Sequence, residues 1–200
     1  MKLYFSPGAC SLSPHIALKE AGIPHELVKV DLKAKTLANG DDFNKVNPKG
    51  QVPALELDNG ELVTEGSVIA QMIADKVPAT GLAPANGTPE RYRLQEWLSF
   101  IGSEVHKSFG PLFNPTLPEE AKTFFRNRIN GKLTYIDGKL AGRDYLMGPQ
   151  FTVADGYLFV MLRWADAMKI DLSAMKNLMA YKERVAARPG VQAALKAETA

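Results

Sequence analysis

The sequence predicts a two-part fold, an α/β domain followed by an all-α domain, in a chain of 200 residues. Three observations predict it. A strand, a helix and a second strand are packed into the first stretch of about thirty residues, the size of a βαβ unit. A hairpin signature follows around Asp58-Asn59-Gly60. Past Val77 the strand signals stop and only helical periodicity remains.

The elements follow in order. Lys2 to Ser6, KLYFS, is a short apolar and aromatic run closed by Pro7-Gly8, which suits a buried strand. The stretch SLSPHIALKEAGIP places Pro14 where an early helical turn tolerates it, carries Ile16 and Leu18, and ends at Gly22 and Pro24. His25 to Leu32 alternates like a strand. These three make a right-handed βαβ unit with parallel strands. After a loop, Val52 to Leu57 and Glu61 to Thr64 alternate on either side of Asp58-Asn59-Gly60, which predicts a hairpin. Val68, Ile69, Met72, Ile73 and Val77 then recur at helical spacing up to Pro78.

The stretch VPATGLAPANGTPE has little periodic apolar content and reads as a linker. Four windows beyond it, starting at Thr88, Pro118, Thr152 and Leu178, show helical periodicity and predict four or five helices. No internal repeat or low-complexity tract is visible.

The charge balance narrows the function. With 46% hydrophobic residues, 23% charged residues and a net charge of +2, the composition is that of a globular domain and selects neither nucleic acid nor an acidic membrane as partner. The opening MKLYFSPG breaks at Pro7-Gly8, so no export signal is expected, and the longest apolar run, Gly156 to Leu162, is too short to span a bilayer. The single cysteine, Cys10, has no partner for an internal disulfide, which points to a reducing cytoplasm.

Cys10 falls between the first strand and the first helix, where open α/β sheets place ligands. Cys10-Ser-Leu-Ser13 has Cys-x-x-Cys spacing with a hydroxyl in place of the second thiol. A lone cysteine in an arbitrary protein is more often a packing residue, but a thiol at a helix N-terminus feels free N–H groups that favour thiolate. In NPKGQVPAL, Pro53 precedes a strand. A cis bond there would expose the backbone of Val52 to an extended peptide, and a plain trans proline is the simpler alternative. In TEGSVI, Glu65, Gly66 and Ser67 open a helix, where free N–H groups suit a carboxylate and Glu65 suits an ammonium group; simple helix capping also accounts for them. Taken together, the three motifs suit a zwitterionic thiol peptide.

The pieces SPGACSLSPHI, NPKGQVPAL, TEGSVI, EWLSFIGSEVHKSF and FTVADGYLF, in this order, resemble bacterial beta-class cytosolic glutathione transferases along essentially the whole chain. The resemblance implies a thioredoxin-like glutathione-binding domain at 1–77 (β-α-β-α-β-β-α), a linker at 78–88 and an all-helical domain at 89–200. It further implies a cytoplasmic homodimer that takes glutathione as co-substrate and conjugates its thiolate to apolar electrophiles, by addition or halide displacement, in detoxification. By the same resemblance Cys10 lies beside the glutathione sulfur and can form a mixed disulfide with it. Val52, before Pro53, pairs with the cysteinyl unit, Glu65 and the following residue take the γ-glutamyl end, and Lys35 approaches the glycyl carboxylate. Relatives with Ser at the position of Gly66 offer a hydroxyl that this chain lacks, leaving the backbone N–H or Ser67. Ser103, Glu104, His106 and Lys107 match the helix that faces glutathione, and Ser99 stands where some relatives carry Asn.

His106 could donate to a thiolate or shuttle a proton. Standing beside Lys107 on an amphipathic helix, it could equally be a partly exposed core residue. His15 and His25 read as structural or solvated, and three scattered histidines make no metal site. Tyr4, Ser11 and Ser13 are near enough in sequence to contribute, and Phe109, Phe113 and Trp164 are candidates for the electrophile pocket. Thr152 and Asp155 have capping-box spacing, with a hydrophobic staple expected between Phe151 and Gly156, and read as a folding element rather than part of the site. Two alternatives remain: a glutathione-dependent thiol-disulfide oxidoreductase using Cys10 as nucleophile, and a non-catalytic glutathione-binding protein.

Overall fold

The computed structural model describes residues 1–199. Strand β1 (Lys2–Phe5) leads through a loop into helix α1 (Leu12–Glu20), and β2 (Glu26–Asp31) returns parallel to β1, pairing Lys2 with Glu26 and Phe5 with Lys29. A two-residue strand β3 (Thr36–Leu37) and the hairpin of β4 (Ala54–Glu56) and β5 (Leu62–Thr64) complete a five-stranded sheet in the order β3-β2-β1-β4-β5. At the hairpin turn Gly60 has φ +83° and donates to Leu57 O, a conformation that glycine adopts without strain. The helix expected between the second and third strands is reduced to a single 3-10 turn, Phe43–Lys45, capped by Asp42. Left-handed backbone at Lys35 and Gly40, with Pro48 beyond, leaves no room for a longer helix.

Helix α2 (Gly66–Lys76) closes the α/β part, and residues 77–88 carry only a 3-10 turn at Pro78–Thr80. Arg91 spans this stretch. Almost fully buried, it grips Asp75 with two bonds of 2.7 and 2.8 Å, a fork geometry that fixes orientation as well as charge. The helical part comprises α3 (Pro89–Phe100), a π-helical segment (Ile101–His106), the single turn α4 (Lys107–Phe109), α5 (Glu119–Lys139), α6 (Val153–Ala167), α7 (Lys176–Ala186) and α8 (Pro189–Glu198). Among the described residues no helix is long and apolar enough to cross a membrane.

Helix α6 is buried along nearly its whole length and forms the axis of the helical part. At its start the buried Asp155 accepts from the N–H and hydroxyl of Thr152, from Leu146 N–H and from the Tyr181 hydroxyl. Burial pushes this carboxyl up to about 6 despite those donors. The staple expected between Phe151 and Gly156 takes another form, because glycine offers no side chain. A Cβ at Gly156 would lie 3.4 Å from Ile16 Cγ2, so this glycine is where α1 packs directly on α6. The Phe151 ring instead carries the Arg188 guanidinium, 4.1 Å from its centroid.

Candidate active site

The residues around Cys10 come together because three chain reversals meet at one end of the sheet. The β1–α1 loop brings Cys10, the first turn of α1 brings Ser13, and the approach to β4 brings Gln51, Val52 and Pro53. The start of α2 brings Glu65, Gly66 and Ser67, and the π-helical segment adds Ser103 and His106, with Lys107 just after it. They line one cleft of about 510 Å³ between the α/β and helical parts.

The Val52–Pro53 peptide bond is cis, and the Val52 carbonyl accepts from the Cys10 thiol at 3.3 Å. Burial pushes that thiol up to about 11, against the pull of the Cys10 and Ser11 backbone N–H groups facing the sulfur and with a push from Glu65. The expectation that the helix start would favour thiolate is therefore overturned. The N–H groups are in place, but desolvation of a half-buried sulfur outweighs them. Cys10 is a protonated donor in the free protein.

His106 is neutral for the same reason. Burial, with Lys107 beside it, lowers the ring to about 4. Its Nδ1 meets the Tyr157 hydroxyl at 2.6 Å, and its ring stands edge-on to Trp164 at 4.9 Å between centroids. Tyr157 itself lines the cleft, and burial beside Cys10 and Glu65 holds its phenol well above the ordinary range. The sequence reading missed Tyr157 because it lies in the apolar run GYLFVML, which reads as core; the hydroxyl on that run was the only signal.

At the start of α2, Glu65 adopts φ +67°, a backbone conformation side chains rarely take, at the mouth of the cleft. Its carboxylate receives Lys49 Nζ at 2.8 Å, and the same ammonium reaches Thr64 Oγ1 at 3.0 Å. Lys49 is a further lining residue absent from the sequence reading. The first N–H groups of α2, at Gly66 and Ser67, have no partner within the helix, and both residues line the cleft. A Cβ at Gly66 would stand 3.4 Å from Pro53 Cγ, so the missing side chain keeps the cis-proline turn close to the helix start.

Several expected site residues lie elsewhere. Lys35, at φ +59°, spends its ammonium on the Gly50 carbonyl at 2.7 Å, outside the cleft lining. Glu104 turns to α5, pairing with Lys132 at 2.9 Å and Arg128 at 3.3 Å, and Ser99 is outside the lining with its carbonyl accepting the Ser103 hydroxyl. The reason is common to both: they lie on the flank of the helical rod that α5 or solvent covers. Tyr4 donates to Glu56 across the sheet, and its phenol rises to about 12, while Ser11 is buried against the Ser6 backbone. Phe109 is fully buried and Phe113 half exposed, and both stand edge-on to Trp164 beside the cleft rather than in its lining. Trp164 uses its indole N–H on the Gly8 carbonyl at 2.8 Å. His15 is buried against Glu198, and His25 bonds the Ile23 carbonyl, both structural as expected.

Comparison with known proteins gives a consistent picture. Profiles described as the N-terminal and the C-terminal domain of glutathione S-transferase match residues 8–76 and 103–198. The chain is 51% identical to glutathione S-transferase GstA of Escherichia coli O157:H7 over 199 residues, covering 99% of this chain and 98% of that one. It superposes on a sphingomonad glutathione S-transferase complexed with glutathione, with a TM-score of 0.96 and 53% identity over 100% of this chain and 99% of that one. The beta-class glutathione S-transferase of Sphingomonas chungbukensis gives the same TM-score and identity, covering 99% of this chain and 98% of that one.

Proposed function

The chain belongs to the glutathione S-transferase family, and from that premise we propose that the cleft binds glutathione beside Cys10 and passes its thiolate to apolar electrophiles. The observation that carries the reading is the convergence of four features on one cleft: a donor thiol, the Val52 backbone at a cis proline, a helix start with free N–H groups, and a neutral imidazole.

The roles follow from the chemistry. The γ-glutamyl carboxylate meets the Gly66 and Ser67 N–H groups, while Glu65, which also pairs with Lys49, takes the ammonium. The cysteinyl unit pairs with Val52, and the glutathione sulfur stands where it can receive the Cys10 S–H. With Tyr157 donating to Nδ1, His106 keeps its proton on Nε2 and offers a second donor. A free thiol of pKa about 8.5 is mostly protonated at neutral pH; lowering it by about two units takes about 2.7 kcal/mol. Two donors to a charged sulfur, at about 1.5 kcal/mol each or more, supply that amount. The thiolate then attacks the electrophilic carbon by addition, or displaces halide, which leaves as the anion. A Cys10 thiol pushed up to about 11 favours donation over attack, which ranks conjugation above the oxidoreductase reading.

The reading divides the chain into a glutathione domain at 1–77, a linker at 78–88 and a helical domain at 89–200. It also takes the protein to be a cytoplasmic homodimer, since its thiol works only when reduced and the large hydrophobic side chains of Val68, Tyr92, Phe113, Phe124 and Tyr135 are exposed to solvent. Turnover of a chlorodinitrobenzene-type electrophile with glutathione tests the activity. A rate no greater than the uncatalysed one, in protein that binds glutathione, would leave only the binding role.

A further inference from the structure

The cleft around Cys10 offers an ammonium group a single carboxylate, and a lysine of the chain itself already pairs with it. Among the described residues that line the cleft Glu65 is the only acid, while Lys49 and Lys107 are cations. Lys49 Nζ stands 2.8 Å from Glu65 Oε1 and 3.0 Å from Thr64 Oγ1 at the end of β5. A braced turn sets its reach. Asn47, almost fully buried, accepts from Lys49 N–H at 3.2 Å and donates to the Gln51 carbonyl at 2.7 Å, and Gly50 follows at φ +59°. Both side chains of the pair are more than half exposed, at 53% for Lys49 and 66% for Glu65, so the bridge is one that a ligand can open. Its position matters more than its strength. A carboxylate that already holds an ammonium gains little from a second, because the new contact must displace the old one or stand against the repulsion of two like charges.

We propose that Lys49 is a specificity-determining residue of this cleft: in the free protein its ammonium stands in for the ligand's ammonium at Glu65, and so sets how strongly the cleft prefers a peptide that carries one. The inference rests on the glutathione reading for the identity of that peptide.

The test measures, by titration calorimetry, the affinities for glutathione and for its des-amino analogue, glutaryl-cysteinyl-glycine, which keeps the thiol and both carboxylates. Their ratio reads the ammonium alone. Wild type, Lys49→Met, Glu65→Gln and the double variant are compared. In Lys49→Met the preference for glutathione over the analogue should rise about fivefold, the upper end of what an exposed ion pair is worth. Glu65→Gln should abolish the preference, and adding Lys49→Met to it should change nothing further, since Lys49 acts through Glu65. A preference unchanged or lowered in Lys49→Met overturns the inference, as does one that survives Glu65→Gln or rises equally in the Glu65→Gln background. Loss of both peptides in Lys49→Met alone also overturns it, because Lys49 would then hold the peptide rather than compete with its ammonium. A wild type that binds neither peptide overturns the glutathione reading and this inference together.

Discussion

Cys10 in the glutathione-free protein should react more slowly than an exposed thiol, even though it sits at a helix start. Its ionisation is pushed up to about 11 by burial. At about pH 8 roughly one molecule in a thousand then carries the thiolate, against about a quarter of an ordinary thiol with pKa about 8.5, a deficit of about 240-fold. A more basic thiolate is the better nucleophile, and a Brønsted slope of about 0.45 over about 2.5 units returns roughly 13-fold. The net expectation is alkylation about twentyfold slower than that of a small free thiol, with a rate still rising at about pH 10. Iodoacetamide labelling followed by intact-mass spectrometry across pH measures both quantities. A plateau below about pH 8.5 would refute the reasoning, because it would mean that the Cys10 and Ser11 N–H groups outweigh desolvation.

Four other outcomes follow from the same structure. Asp155→Ala orphans the buried donors of Thr152, Leu146 and Tyr181 and should cost about 3 kcal/mol, or about 10 °C in Tm by calorimetry, while glutathione affinity of the folded variant barely moves; the reverse pattern would remove Asp155 from the folding role. Because burial raises the Asp155 carboxyl to about 6 from an unfolded value near 4, the native state holds the extra proton between those values. The stability it contributes is present below about pH 4 and is lost as pH rises through about 6, so Asp155→Asn should flatten the difference in unfolding free energy from wild type above that range. His106, lowered to about 4, should give no inflection near pH 6.5 in kcat for conjugation, and Tyr157→Phe should slow conjugation about fivefold by releasing Nδ1; an inflection near 6.5 that vanishes in His106→Ala would contradict the neutral donor.

What the sequence could reveal depended on whether the signal was local. The βαβ unit and the hairpin at Asp58-Asn59-Gly60 were legible because strand alternation and turn chemistry are written in neighbouring residues. The helical window around Trp97 to Lys107 read as one continuous helix, yet its middle is π-helical, and an i+5 stretch shifts the side-chain phase that a 3.6-residue period assumes. The window from Leu178 likewise read as one element, but Pro189 opens a separate helix there. In the candidate site, Cys10, Val52, Glu65 and His106 were visible through motif and resemblance. Their charge states were not, because desolvation depends on what packs over a group. The contact of His15 with Glu198 was invisible for a simpler reason: the two lie 183 residues apart in the chain.

The central claim is that glutathione sulfur attacks and Cys10 donates to it. The most direct measurement compares wild type and Cys10→Ala for conjugation of a chlorodinitrobenzene-type electrophile and for glutathione-dependent disulfide reduction, in the same preparations. The account predicts that conjugation persists in the variant, slowed about tenfold by the loss of one donor to a charged sulfur, while any disulfide reduction the wild type shows disappears. Conjugation falling to the uncatalysed rate, in a folded variant that still binds glutathione, would contradict it and make Cys10 indispensable to the chemistry.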